Sequence, residues 1–428
     1  MRRLAFACSA SLSLAVNMLA QAADVAKVSV AKLPDIEAFT AGMQHLPGFV
    51  GLYVDSRSDR VYLRLEAFEK ELLYATAQAS GLGSNPIGLD RGSLGPQHVI
   101  EFRRAGKKVL VVAKNLRFRA LSDNARERLA VAESFAPSVI GSLPVKAEGD
   151  DSVVVDATSF VIRDATNAAK KLGGSGGSYK ISKERSALWL DRTRAFPDNT
   201  EVEVLLTFTS SKPNREVGTA ANAEAVTLRQ HHSFIRLPDD SYTPRSFDPR
   251  VGYFGPQYQD YAAPIGRSMH RHLIARHRLT KKDPEQPLSE PTEAIVYYID
   301  PGTPEPVRSA LREGAMWWAD AFVAAGFKDA FRVEILPADA DPMDVRYNMI
   351  HWVHRRTRGW SYGASISDPR TGEIIKGNVL LGSLRVRQDH MKFIGMQSPY
   401  SEDGACAAAI SPSADYLMEG DDTLAKDV

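Results

Sequence analysis

EAIVYYIDPGTPEPVRSALREGAMWWADAFVAAGFKDAFRVEILP, residues 293–337, decides the fold class. EAIVYYI (293–299) is a continuous apolar run of β-branched and aromatic residues, the pattern of a strand buried on both faces. Thr303-Pro304-Glu305 then offers an N-cap, a proline at the first helical position and an acid in the first turn. Val307, Leu311, Trp318, Phe322 and Ala325 recur at helical intervals, and Gly326 supplies the stop. FRVEILP (331–337) returns as a strand, so parallel pairing through a right-handed crossover is expected. YNMIHWVH (347–354), SYGASISD (361–368) and EIIKGNVLLG (373–382) add strands, with Pro369-Arg370-Thr371-Gly372 turning between the last two.

Upstream the pattern alternates instead. GLYVDSRSDRVYLRLE (51–66) reads as a hairpin around Ser-Arg-Ser-Asp, ELLYATAQ (71–78) as a strand, and QHVIEFRRAGKKVLVVAKN (97–115) as a hairpin turning near Ala105-Gly106. SDNARERLAVAESFA (122–136) has helical spacing after a capping serine. Gly173-Gly174-Ser175-Gly176-Gly177 is a flexible loop by composition, and EVEVLLTFTS (201–210) and AVTLRQHHSFIRLP (225–238) are further strands. The expected organisation is an antiparallel β-rich domain over residues 30–240, a Pro-, Asp- and Tyr-rich connector over 241–290, and a mixed sheet with one packed helix over 291–395. An acidic, small-residue tail occupies 396–428, and the class is α+β.

The totals exclude little beyond extremes. With 428 residues, 25% charged and a formal net charge of +1, nothing argues globally for nucleic acid or an anionic membrane surface. Arg2 and Arg3, the apolar run LAFACSASLSLAVNMLA and Ala20-Gln21-Ala22 read as a secretory signal over residues 1–22, placing the mature chain in the periplasm or outside the cell. After cleavage no segment approaches the roughly 20 apolar residues of a membrane span. Only Cys406 then remains, which leaves no intramolecular disulfide and no cysteine-based zinc site.

Four features carry possible chemistry. GLGSNPIGLDRGSLG (81–95) lacks the Lys-Ser/Thr of a phosphate-binding loop and reads as a structured loop using glycine for its turns. His231 and His232 are neighbours in a strand and point to opposite faces. RSMHRHLIARHRLTKK (267–282) is strongly basic but lacks the aromatic interleaving of a nucleic-acid groove. His351 and His354 are the metal candidates; three apart in a strand they diverge, and no glutamate lies between them as in a hydrolytic zinc helix.

Residues 293–327, together with ADPMDVRYNMIHWVHRRTRGWSYGASISDPRTGEIIKGNVLLGSLRVRQD (340–389), closely resemble a family of exported bacterial zinc-dependent metallopeptidases with a metzincin-like catalytic domain. GLGSNPIGLDRGSLGPQHVIEFRRAGKKVLVV (81–112) and RLPDDSYTPRSFDPRVGYFG (236–255) resemble that family's N-terminal domain of unknown function, so the resemblance spans residues 30–395. It implies a twisted sheet with one helix packed on it, followed in the family by an active-site helix bearing His-Glu-x-x-His and zinc. It also implies that the edge strand binds an extended peptide or protein substrate as an added strand, which places Trp360, Ser361, Tyr362, Gly363, Ala364 and Ser365 beside the cleft. The sequence contains no His-Glu-x-x-His. No catalytic residue therefore carries over; zinc belongs to the full-length family, and no cofactor is expected in this chain, which looks truncated before the zinc helix. The expectation is the N-terminal part of a secreted metallopeptidase without activity of its own; the alternative is a non-catalytic exported peptide- or protein-binding protein. Without the zinc helix, one face of the 293–380 sheet is expected to lie open.

Overall fold

The computed structural model describes residues 32–66, 68–357 and 359–397. The signal segment 1–22, Cys406 and the tail from residue 398 onward lie outside the described residues.

The N-terminal half is built on β1 (Gln44–Leu46), β2 (Gly51–Asp55), β3 (Arg60–Leu65), β4 (Leu72–Gln78), β5 (Leu94–Ala105) and β6 (Lys108–Ala113). After β7 (Phe118–Arg119) it continues with β8 (Ser138–Glu148), β9 (Val153–Asp156), β10 (Lys180–Leu188), β11 (Arg194–Ala195), β12 (Asn199–Thr209) and β13 (Ala225–Ile235). All of these except β7 form one 12-stranded sheet, ordered β1-β2-β3-β9-β8-β6-β5-β4-β13-β12-β10 with β11 on β12. Its pairs are antiparallel, and the expected hairpins close where their turn residues stand. Asp55 faces Arg60 across Ser-Arg-Ser-Asp, and Ala105 faces Lys108 across Gly106, whose φ of +62° is a left-handed conformation that glycine adopts without strain. The sheet curls around one large apolar cluster. Along β12, Val202, Val204, Leu206 and Phe208 point into it and are fully buried.

A small sheet β15-β14-β7, with β14 (Gln257–Asp260) and β15 (His270–His272), occupies the connector. There three basic residues of the 267–282 stretch meet carboxylates. Arg271 meets Asp260, Arg278 meets Asp239 and Glu373, and Lys282 meets Glu290.

The C-terminal sheet has β16 (Ile295–Ile299), β17 (Phe331–Ile335), β18 (Asn348–Val353), β19 (Tyr362–Ser367) and β20 (Ile374–Gly382), ordered β17-β16-β18-β20-β19. β16 pairs in parallel with β17 and β18, β18 with β20, and β19 returns antiparallel through the 369–372 turn. Described residues are thus strand-rich with few helices, an α+β arrangement.

Three expectations need correction. The crossover helix starts at Val307, not after Thr303: Pro306 stands at the N-cap without a side-chain cap, the Glu305 carboxylate just before it accepts from the Ser309 amide and hydroxyl, and Thr303 is buried. That helix also breaks at Trp317 into Val307–Met316 and Trp318–Ala324. Trp318, assigned to the buried stripe by spacing, is 64% exposed, while Leu311, Ala315 and Met316 pack on Ile299, Val333 and Ile350. Toward β19, one face of the sheet is covered. Val345 and Ile366 pack against Leu73, Ala75, Val99 and Ile235, so the N-terminal sheet supplies the cover. A helix over Ser383–Gln397, not anticipated, follows β20.

Candidate functional site

The register of β19 determines what its outer edge offers. Ser365 stands opposite Gly377, and the Gly377 amide donates to Asn348 Oδ1 on β18 at 2.6 Å. The backbone of Gly377 therefore points away from β19, which makes Ser365–Gly377 a non-hydrogen-bonded pair with the amide and carbonyl of Ser365 directed outward. Gln97 on β5 occupies that carbonyl, donating from Nε2 at 3.1 Å. Gly363, two residues earlier, faces the same way; it is exposed, and a Cβ added there meets nothing within 4 Å. The intervening Ala364 pairs inward with Asn378. Tyr362 donates from its hydroxyl to Asp90 Oδ2 at 3.1 Å, Ser361 Oγ accepts from the Gly382 amide at 3.2 Å, and Trp360 is 62% exposed. Trp360 and Ser361 thus lead into the outermost strand of this sheet, and Tyr362–Ser365 form its first part. Its open stretch ends before Ser365, where β5 closes over it.

The two candidate metal histidines are not brought together. His351 Nε2 lies 3.0 Å from Asn378 Oδ1, whereas His354 is exposed with Nδ1 2.9 Å from Ser383 Oγ. Burial, with Arg91 and Lys376 nearby, pushes the His351 imidazole down to about 4. His231 and His232 diverge in the expected way. His232 Nδ1 meets the Tyr74 hydroxyl at 2.7 Å inside the core, and His231 sits 3.2 Å from Glu203 on the opposite face. Among the described residues no group of three or more His, Cys, Asp or Glu side chains is placed to hold a metal ion. Nor is any described helix long and apolar enough to cross a membrane.

The glycine-rich 81–95 loop is one of the elements that join the halves. Asp90 accepts both ends of the Arg355 guanidinium, at 2.8 and 2.9 Å, in an ion pair only 7% and 4% exposed. Arg91 binds Asp300 at the end of β16 and the Trp352 carbonyl. Asn85 donates to the Thr357 carbonyl and hydroxyl, and the Asn378 amide donates to the Gly92 carbonyl. A cavity of about 480 Å³ remains between this loop and the ends of β16 and β18, lined by Leu82, Arg91, Asp300, Trp352 and His354 among others. Sequence reasoning marked the loop as structured but gave no partner, since Asp90 and Arg355 stand 265 residues apart.

Polar groups also fill the interface deeper in. Glu201 accepts from Ser233 and Asn199, Asn199 donates to the Met343 carbonyl, and Lys376 donates to the carbonyls of Pro342 and Asp344. Burial raises the Glu201 carboxyl and lowers the Lys376 ammonium, and it pushes Glu203 up to about 7.

No curated protein and no solved structure matches this chain. Residues 92–282, from the end of the glycine-rich loop through the connector, match a family described as a domain of unknown function, DUF5117.

Proposed function

We propose that this chain carries the substrate-binding frame of an exported, zinc-metallopeptidase-like protein, and that it binds extended peptide along β19. The observation that carries this reading is the antiparallel outermost strand with Gly363 presenting its amide and carbonyl to solvent, next to an exposed tryptophan. Such an edge adds a peptide as a further strand, main-chain hydrogen bonds giving affinity and flanking side chains giving selectivity. The parallel strand–helix–strand unit behind it agrees with the sheet that the metallopeptidase resemblance implies. In this chain His351 and His354 turn to separate partners, so this reading places no zinc on that pair. No hydrolytic step is therefore assigned to its residues, and the proposed activity is capture of peptide rather than cleavage.

The test is fluorescence anisotropy with labelled, unstructured casein-derived peptides on the purified chain. Wild type should bind saturably. Gly363→Pro, which deletes the outward amide and crowds the edge, should weaken binding about tenfold or more. Gly363→Ala keeps the amide in open space and should bind as wild type does. Absence of binding, or binding indifferent to the proline, contradicts the proposal.

A further inference from the structure

The edge strand does not stand by itself; its beginning is suspended from the N-terminal half. All three guanidinium nitrogens of Arg355 are engaged. Nε and one Nη hold Asp90, and the other Nη donates to the Trp360 carbonyl at 2.9 Å. The same Asp90 Oδ2 that receives Arg355 also receives the Tyr362 hydroxyl. One carboxylate thus fixes the strand at two points, the backbone of Trp360 through Arg355 and the ring of Tyr362 directly. The loop that carries Asp90 is itself pinned beside this segment. The Arg356 amide donates to the Gly83 carbonyl at 2.8 Å, and a Cβ at Gly359 would stand 2.5 Å from Asn85 Oδ1, so a larger residue there would push the Asn85 side chain aside.

We infer that Asp90 is a positioning residue for the outer strand, so that the glycine-rich loop of the N-terminal half sets where Trp360 and Gly363 meet a peptide. The inference deepens the peptide-binding reading and rests on it for its functional meaning. A strand held in place before binding loses less conformational freedom when the peptide adds to it, which raises affinity without new contacts. The neighbouring Arg91 supplies an internal comparison. It sits in the same loop but holds Asp300, just after β16, and the Trp352 carbonyl on β18.

Hydrogen exchange on the full chain, without peptide, tests the positioning role independently of any ligand. In Asp90→Ala, segments spanning 360–367 should lose protection first, exchanging about tenfold faster or more at times when β4 and β12 are still unexchanged. Asp90→Glu, which retains a carboxylate for Arg355, should restore most of the protection. Arg91→Ala should leave residues 360–367 as in wild type. Arg355→Lys keeps the charge but cannot hold Asp90 and Trp360 together, and it carries the same expectation as Asp90→Ala if that variant does not fold. Wild-type exchange at 360–367 in both Asp90→Ala and Arg355→Lys, or equal loosening by Arg91→Ala, overturns the inference. Peptide affinity measured on the same variants should fall in parallel. Wild-type protein that binds no peptide removes the binding reading, while the exchange result still decides whether Asp90 positions the strand.

Discussion

Asp90→Ala should lower the free energy of unfolding by about 3–5 kcal/mol, the range for removing one partner of a buried ion pair. The size follows from what is left behind. Arg355 is almost wholly enclosed, so its guanidinium cannot recover water when the carboxylate is deleted, and the Tyr362 hydroxyl loses its acceptor as well. Most other pairs in this protein are partly exposed; Arg236–Asp198, 56% and 44% exposed, illustrates the kind whose loss costs well under 1 kcal/mol. Urea denaturation of Asp90→Ala beside Asp198→Ala measures both. A difference of less than about 1 kcal/mol between them would show that the loop contributes little to the union of the two halves.

Acid should destabilise the protein well before its surface carboxylates protonate. His231 and His232 are held down to about 3, and His277 and His351 to about 4, in each case chiefly by burial. Unfolded, these imidazoles titrate near 6.5. A group whose folded pKa is depressed contributes stability that is complete above the unfolded pKa and is lost as pH falls toward the folded one. Each such histidine therefore removes about 1.4 kcal/mol per pH unit below 6.5. Glu201 and Glu203 act the other way. Their raised values make the folded state bind protons more tightly, so their contribution grows as pH falls from about 7 and is complete below the unfolded value of 4.5. With these four histidines against two glutamates, stability should peak near pH 6.5, fall by about 3 kcal/mol per pH unit to about 4.5 and about twice as steeply just below it. Urea midpoints at half-unit steps from pH 4 to 8 give the profile. A midpoint that stays level or rises between pH 6.5 and 4.5 contradicts it.

Local chemistry made much of this fold legible. Ser-Arg-Ser-Asp and Ala105-Gly106 marked their hairpins because turn residues act on their immediate neighbours. The parallel unit was readable because an apolar strand, a periodic helix and a second strand leave few ways to pair. What escaped depends on contacts between the halves. In β12 the alternation correctly places Val202, Val204, Leu206 and Phe208 in the core, and taken alone it sends Glu201 and Glu203 to solvent. Both are buried, at 3% and 1% exposure, because the C-terminal sheet covers that face. The same union of the halves covers the sheet face that carries Ile366, and it hid Asp90, whose meaning lies in Arg355. The helix was read one turn early because Thr-Pro-Glu has the composition of a helix start, whereas the first turn forms after Pro306 with Glu305 accepting from Ser309. Of the candidate site, the six residues from Trp360 to Ser365 were named by resemblance. Which of them faces outward came only from the register set by Gly377 and Asn348.

The central claim is that the outward backbone of Gly363 pairs with an incoming peptide strand. Hydrogen exchange of the Gly363 amide, resolved by nuclear magnetic resonance with and without saturating peptide, addresses it most directly. The expected result is that this amide, fast-exchanging in the free protein, becomes protected about tenfold or more when peptide binds. Binding that leaves Gly363 exchanging at its free rate would place the peptide elsewhere and contradict the account.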